Sequence, residues 1–145
     1  MGAGGPEQVD VDAMLARAAK GDVEAQGDLA AEVITETDQG KLPTAVGLGI
    51  AEVLARMAVS NGGGVERHRQ LCAILYLQSK WAQQMGDQIN VEHYQVETLA
   101  RATALADEGD QSSADLVNAL AEEMTPRTIA LADAKLRAGA LTPTN

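Results

Sequence analysis

The chain has 145 residues, with 46% hydrophobic residues, 22% charged residues and a net charge of −10. That length fits a single domain, and the charged fraction with ordinary hydrophobicity excludes bulk disorder. Alanine fills 26 positions while aromatics number three, Tyr76, Trp81 and Tyr94. Alanine is the best helix former and strands favour β-branched and aromatic residues, so a β-sandwich or barrel is excluded and an all-α domain expected. The acidic balance opposes binding to phosphate backbones and to anionic membranes. It admits a basic protein partner.

Residues 1–8, MGAGGPEQ, read as a flexible tail, with one helical domain over 9–138 and a second tail over 139–145. The first helix starts with Asp10 or Asp12 as N-cap and ends at Lys20, with Val11, Met14, Leu15, Ala18 and Ala19 on one face. Gly21-Asp22 breaks it: glycine tolerates the left-handed conformation, and the aspartate accepts from the free amides of the next helix. The second helix runs from Val23 to about Thr35, burying Ala25, Leu29, Ala30, Val33 and Ile34. Pro43 suits the first position of the third, which continues to about Val59 with a stripe of Val46, Ile50, Leu54 and Met57, flanked by Ala51, Val53 and Ala58. Gly47 and Gly49 within it predict close approach of another helix.

After the link Ser60 to Gly64, the fourth helix covers about 65–85 and presents Leu71, Ile74, Leu75, Trp81, Ala82 and Met85, with Tyr76 and Leu77 widening the arc. So broad an arc predicts a central helix, with Trp81 largely buried. Gly86-Asp87 repeats the break. The fifth helix runs to about Asp107, with Val91, Tyr94, Leu99, Ala102 and Leu105 or Ala106 inward. Gly109-Asp110 opens the sixth, over about 111–123, with Leu116, Val117, Leu120 and Ala121 apolar. Thr125-Pro126 opens the seventh, over about 126–138, with Ile129, Leu131, Ala132 and Leu136. Seven helices on tight turns predict antiparallel neighbours stacked as hairpins, a short α-solenoid or an irregular bundle.

Residues 18–30, AAKGDVEAQGDLA, resemble the Sel-one-like branch of tetratricopeptide-type helical repeats, whose units read roughly A-A-x-G-D-x-x-A-Q-x-x-L-G. Ala30 stands where that family prefers glycine. A looser copy begins at Leu105, with its alanine, Ala114, four positions after the aspartate rather than three. The resemblance implies a protein-interaction scaffold that holds partners on a concave helical face, and seven helices supply three pairs and a cap.

Catalytic and ligand-binding chemistry finds little support. His68 and Cys72 share a helical face, but a zinc site needs three or four ligands, and the one other histidine is His93. The reading is a partly exposed His68 between Arg67 and Arg69, beside a buried Cys72. Ser112 and Ser113 read as first-turn residues of the sixth helix rather than nucleophiles. Gly62-Gly63-Gly64 lacks the Lys-Ser/Thr pair of a phosphate loop and reads as a linker. The carboxylate pairs Asp107-Glu108 and Glu122-Glu123 read as solvated helix ends, and Arg67, His68 and Arg69 as a basic cluster facing acids of the same chain.

Met1 to Gln8 lack the basic and apolar regions of a signal peptide and the apolar stretches are too short for a membrane span, so the expected location is the cytoplasm. No catalytic residue, metal ligand or cofactor is assigned. The expected function is a non-enzymatic protein–protein interaction module that uses the exposed faces of the second, fourth and sixth helices. One alternative is an acidic, phage-type inhibitor or nucleic-acid mimic with carboxylates in rows about 7 Å apart. The other is a small helical enzyme or ligand carrier with a pocket lined by Tyr76, Trp81 and Tyr94.

Overall fold

The three glycine-aspartate breaks do what their chemistry requires. Gly21, Gly86 and Gly109 take φ of 93°, 72° and 102°, a region costly for residues with a Cβ. The following aspartates cap new helices: Asp22 accepts from the Ala25 amide at 3.2 Å, Asp87 from Asn90 at 3.2 Å and Asp110 from Ser113 at 3.0 Å. Thr125 caps the last helix through the Thr128 amide at 3.2 Å.

The structure is a computed structural model, and it describes residues 11–139. Among these residues there are seven helices and no strand: α1 (Val11–Ala19), α2 (Val23–Asp38), α3 (Thr44–Ser60), α4 (Gly64–Met85), α5 (Gln88–Asp107), α6 (Gln111–Glu123) and α7 (Pro126–Arg137). The expected tails lie outside the described residues apart from Gly139, as does Asp10. Asp12, the other expected N-cap, lies inside the first turn of α1. Helix α2 extends three residues past the expected end. Pro43 is the N-cap of α3, and its carbonyl accepts from the Gly47 amide at 2.9 Å.

Packing follows chain order, with α1 on α2, α2 on α3, α3 on α4 and α4 on α5, while α6 and α7 both pack on α5. One apolar core joins Met14, Ala18, Leu29, Leu54, Leu71 and Leu75 across α1 to α4. A second joins Leu99, Ala104, Leu120, Met124 and Ala132 across α5 to α7. From α2 onward, polar side chains tie each helix to the next but one. Gln70 Nε2 on α4 donates to the Gly27 carbonyl on α2 at 2.8 Å. Arg56 on α3 grips Glu97 on α5 at 2.7 and 2.8 Å. Arg69 on α4 meets Asp110 at the head of α6 at 3.0 Å, and Arg127 on α7 meets Glu92 on α5 at 2.8 Å. Arg67 also reaches Glu24 at 3.2 Å, so both arginines of the basic cluster are met by acids of the same chain.

Several positions expected inside are outside. Leu15 and Ala19 of α1, Val46, Ile50 and Val53 of α3, Met85 of α4, and Ile129 and Leu131 of α7 are exposed. The stripe on α3 divides: Leu54 is buried with the flanking Ala51 and Ala58, while Val46, Ile50 and Val53 are exposed. Trp81 is half-buried rather than enclosed. The two glycines of α3 differ as well. Gly47 is buried against the side chain of Thr37 on α2, which leaves no room for a Cβ, whereas a Cβ at Gly49 would meet nothing within 4 Å.

Candidate functional site

Helix α4 carries the three cationic residues Arg67, Arg69 and Lys80 and two of the three aromatics of the chain, and its exposed flank lies between α2 and α6. Two depressions adjoin there. The first, about 200 Å³, is lined by Ile34, Thr37, Leu48, Leu77, Lys80 and Trp81 among others. The second, about 350 Å³, is lined mainly by Cys72, Ala73, Tyr76, Leu77 and Leu116, with Arg69, Ser112 and Ser113 at its edge. Leu77 borders both and is exposed, so the two depressions lie side by side along α4.

The polar groups around them are fixed. Lys80 Nζ lies 2.6 Å from Glu123 and 5.0 Å from the centre of the Tyr76 ring, and the Tyr76 hydroxyl reaches Glu123 at 3.4 Å. The hydrogen bond from Lys80 holds the Glu123 carboxyl below its ordinary range. At the other edge, bonds from Ser113 and then Arg69 do the same for Asp110. An ammonium against a tyrosine face is a cation–π contact, and here it holds Tyr76; the first depression also has Thr37, Asp38, Thr44 and Gln84 in its wall. Glu122 and Glu123 are both exposed, as the sequence predicts, and Lys80 is the basic neighbour of Glu123.

Behind these depressions, α3, α4 and α5 enclose a charged network. Glu97, 7% exposed at its side chain, receives Arg56 and, at 2.8 Å, Arg101. Burial pushes its pKa up, but the bonds from the two arginines outweigh burial and hold it at about 2. Glu52 accepts from Arg56 at 3.0 Å, Gln78 at 2.9 Å and the Tyr94 hydroxyl at 3.1 Å. Burial, with Glu52 beside it, pushes the Tyr94 phenol up to about 12. Every carboxylate is matched by donors, so the arrangement joins three helices and offers no free acid or base. Sequence reasoning missed it; the signal available was Glu52 and Arg56 one turn apart in an otherwise uncharged helix.

The remaining candidates separate. His68 is buried, not partly exposed, and burial followed by the positive charge of Arg101 lowers its pKa. Its Nδ1 has no hydrogen-bond partner among the described residues. Cys72 is buried as expected, and burial pushes its thiol up to about 12, the opposite of an activated nucleophile. Among the described residues no group of three or more His, Cys, Asp or Glu side chains is placed to hold a metal. His93 stacks edge-on with Tyr94, 5.1 Å between ring centres. Ser113 bonds to Asp110 as part of the cap. Tyr76 and Trp81 line adjoining depressions, but Tyr94 is bonded to Glu52 in the network behind them, so the three aromatics do not line one pocket.

A third depression, about 650 Å³, lies away from α4 and is lined by Leu15, Leu29, Val33, Ala45, Val46, Gly49, Ile50, Val53 and Leu54. No helix among the described residues is long and apolar enough to cross a membrane. No family model, curated protein or solved structure matches this chain.

Proposed function

We propose that this chain is a non-enzymatic protein–protein interaction module, tetratricopeptide-like in its stacked hairpins, that acts in the cytoplasm and holds a protein partner along α4 between α2 and α6. The observation that carries this reading is the pair of adjoining depressions on either side of the exposed Leu77, one walled by Trp81 with Lys80 and the other by Tyr76 with Arg69. Tyrosine, tryptophan and arginine dominate binding energy at protein interfaces when they sit in a desolvated centre. A half-exposed tryptophan in the wall of a depression supplies that kind of anchor. The ties that join each helix from α2 onward to the next but one support a stacked scaffold, and the resemblance of residues 18–30 to Sel-one-like units points the same way. The net charge of −10 favours a basic partner through steering.

Paired affinity capture tests this. The wild-type chain and Leu77→Asp are used as baits on the same extract, with circular dichroism melts showing that both are folded. A basic protein retained by the wild type and lost by Leu77→Asp is the expected result. The same proteins on both baits contradict the assignment of this surface.

A further inference from the structure

Helix α3 has 17 residues and two charged ones, Glu52 and Arg56. Both are turned into the network with Gln78, Tyr94 and Glu97, so the outward face of α3 carries no charge. Val46, Ile50 and Val53 are 48%, 42% and 59% exposed on that face, and Leu15 of α1 is 50% exposed beside them. Together with Leu29 and Val33 of α2 they line the 650 Å³ groove, with Gly49 open in its middle. A helix apolar on nearly all sides is one with neighbours on nearly all sides, and exposed apolar patches of this kind mark interaction sites.

The charge around this groove selects its occupant. Helix α2 carries five acids and no base. On α1 and α2 the charged residues one helical turn from a lining residue are Asp12, Glu32 and Glu36, and none of them is in an ion pair among the described residues. Pairing this groove with its own copy would set two acid-only helices side by side, which like-charge repulsion opposes. At the other end of the chain α7 carries Arg127, Lys135 and Arg137 against Asp133; Arg127 is paired with Glu92 of α5 and Arg137 with Asp133, and Lys135 is the α7 base with no ion pair among the described residues. The solvent face of α7 carries Leu131, exposed, with Arg127 and Lys135 four residues before and after it and the exposed small residues Ala130 and Ala134 alongside. Small residues allow a helix to approach closely, and Gly49 provides the matching space.

We propose that the α1–α3 groove of one copy receives α7 of a second copy, so that the chains associate head to tail. The acidic α2 faces the basic α7, Leu131 enters between Val46, Ile50 and Val53, and the stack of helices continues across the junction. Such a contact is heterologous, and it leaves a free groove and a free α7 at the two ends, which allow further copies to add or a ring to close.

Sedimentation velocity on the full chain over a concentration series, at low and at high salt, tests the proposal. Val53→Asp blocks the groove and Leu131→Asp blocks α7; both positions are exposed, and circular dichroism melts show whether the fold is intact. The wild type is expected to grow past a dimer with concentration and to dissociate in high salt. Each variant alone is expected at the mass of one chain, 15.1 kDa. An equimolar mixture is expected to form dimers and stop there, because Val53→Asp retains a working α7 and Leu131→Asp a working groove. Lys135→Glu is expected to weaken wild-type association without touching the apolar contact. A wild type that stays monomeric at every concentration overturns the proposal. So does association that survives Leu131→Asp, which would mean groove-to-groove pairing, and so does a mixture that stays monomeric.

Discussion

Glu97 lies where three helices meet, and its two arginines explain both its charge and its importance. Removing a buried partner leaves uncompensated charge, which costs about 3–5 kcal/mol; Glu97→Ala is expected to lose stability on that order in urea melts. The pH dependence has three parts. Glu97 has its pKa lowered from 4.5 to about 2, so its contribution is full above 4.5 and is lost as pH falls toward 2. His68 has its pKa lowered from 6.5, so the fold prefers it neutral and loses stability as pH falls below 6.5. Tyr94 has its phenol raised from 10.0 to about 12, so its contribution holds below 10 and is lost as pH rises to 12. Thermal melts across pH check these signs: stability should fall on both sides of neutrality, and a Glu97→Gln chain should lose much of the acid-side dependence. Cys72, with its thiol raised to about 12, is expected to resist alkylation in the folded chain and to react once it unfolds. At this scale the sequence was least informative. Glu52, Arg56, Glu97 and Arg101 read as ordinary helix charges, because their partnership depends on a three-helix junction that spacing along one helix does not encode.

The helices themselves were legible almost to the residue. Gly-Asp and Thr-Pro are local chemistry, a left-handed turn followed by a side chain that caps amides, and they act wherever they occur. Asp22→Ala removes such a cap and is expected to destabilise by about 0.5–2 kcal/mol in thermal or urea unfolding. The looser second motif has a structural reason. Ser113 stands three after Asp110, where Ala25 stands after Asp22; both are buried, and both donate their amides to the capping aspartate. Serine can occupy that small buried place because its hydroxyl also bonds to Asp110. Which face of a helix is inside was less legible. An all-round apolar helix such as α3 gives no phase from periodicity, so Val46 and Ile50 were grouped with Leu54. Trp81, the one tryptophan, reads as interior because it stands in a helix with a broad apolar arc and in the neutral part of the chain. Half-buried at a depression, it contributes less when removed: Trp81→Ala is expected to cost less than the about 3–5 kcal/mol of an enclosed aromatic, as read by urea unfolding.

Across the whole molecule, the acidity is unevenly placed, and this carries the functional argument. Residues 61–101 are neutral, with four acids and four bases, while residues 1–60 sum to −6 and residues 102–145 to −4. The neutral middle is the α4–α5 hairpin, which packs against both flanks and holds every aromatic residue. Its cations bind acids from the flanks, Arg67 to Glu24, Arg69 to Asp110 and Lys80 to Glu123. The charge asymmetry in the sequence therefore describes how the layers are held together, and that much was readable beforehand. The sequence points to the exposed faces of the second, fourth and sixth helices as binding surface; the depressions along α4 also take Thr44 and Leu48 from α3, because their boundaries depend on how the neighbouring helices stand around α4.

Trp81 is the one tryptophan of the chain, and it reports on the depressions along α4 directly. Its emission, followed while a partner isolated by the wild-type bait is titrated in, tests the central claim that this flank of α4 binds protein. The account predicts a saturable blue shift as the half-exposed indole is covered, absent with Leu77→Asp. A partner that binds while the Trp81 emission stays unchanged would contradict it.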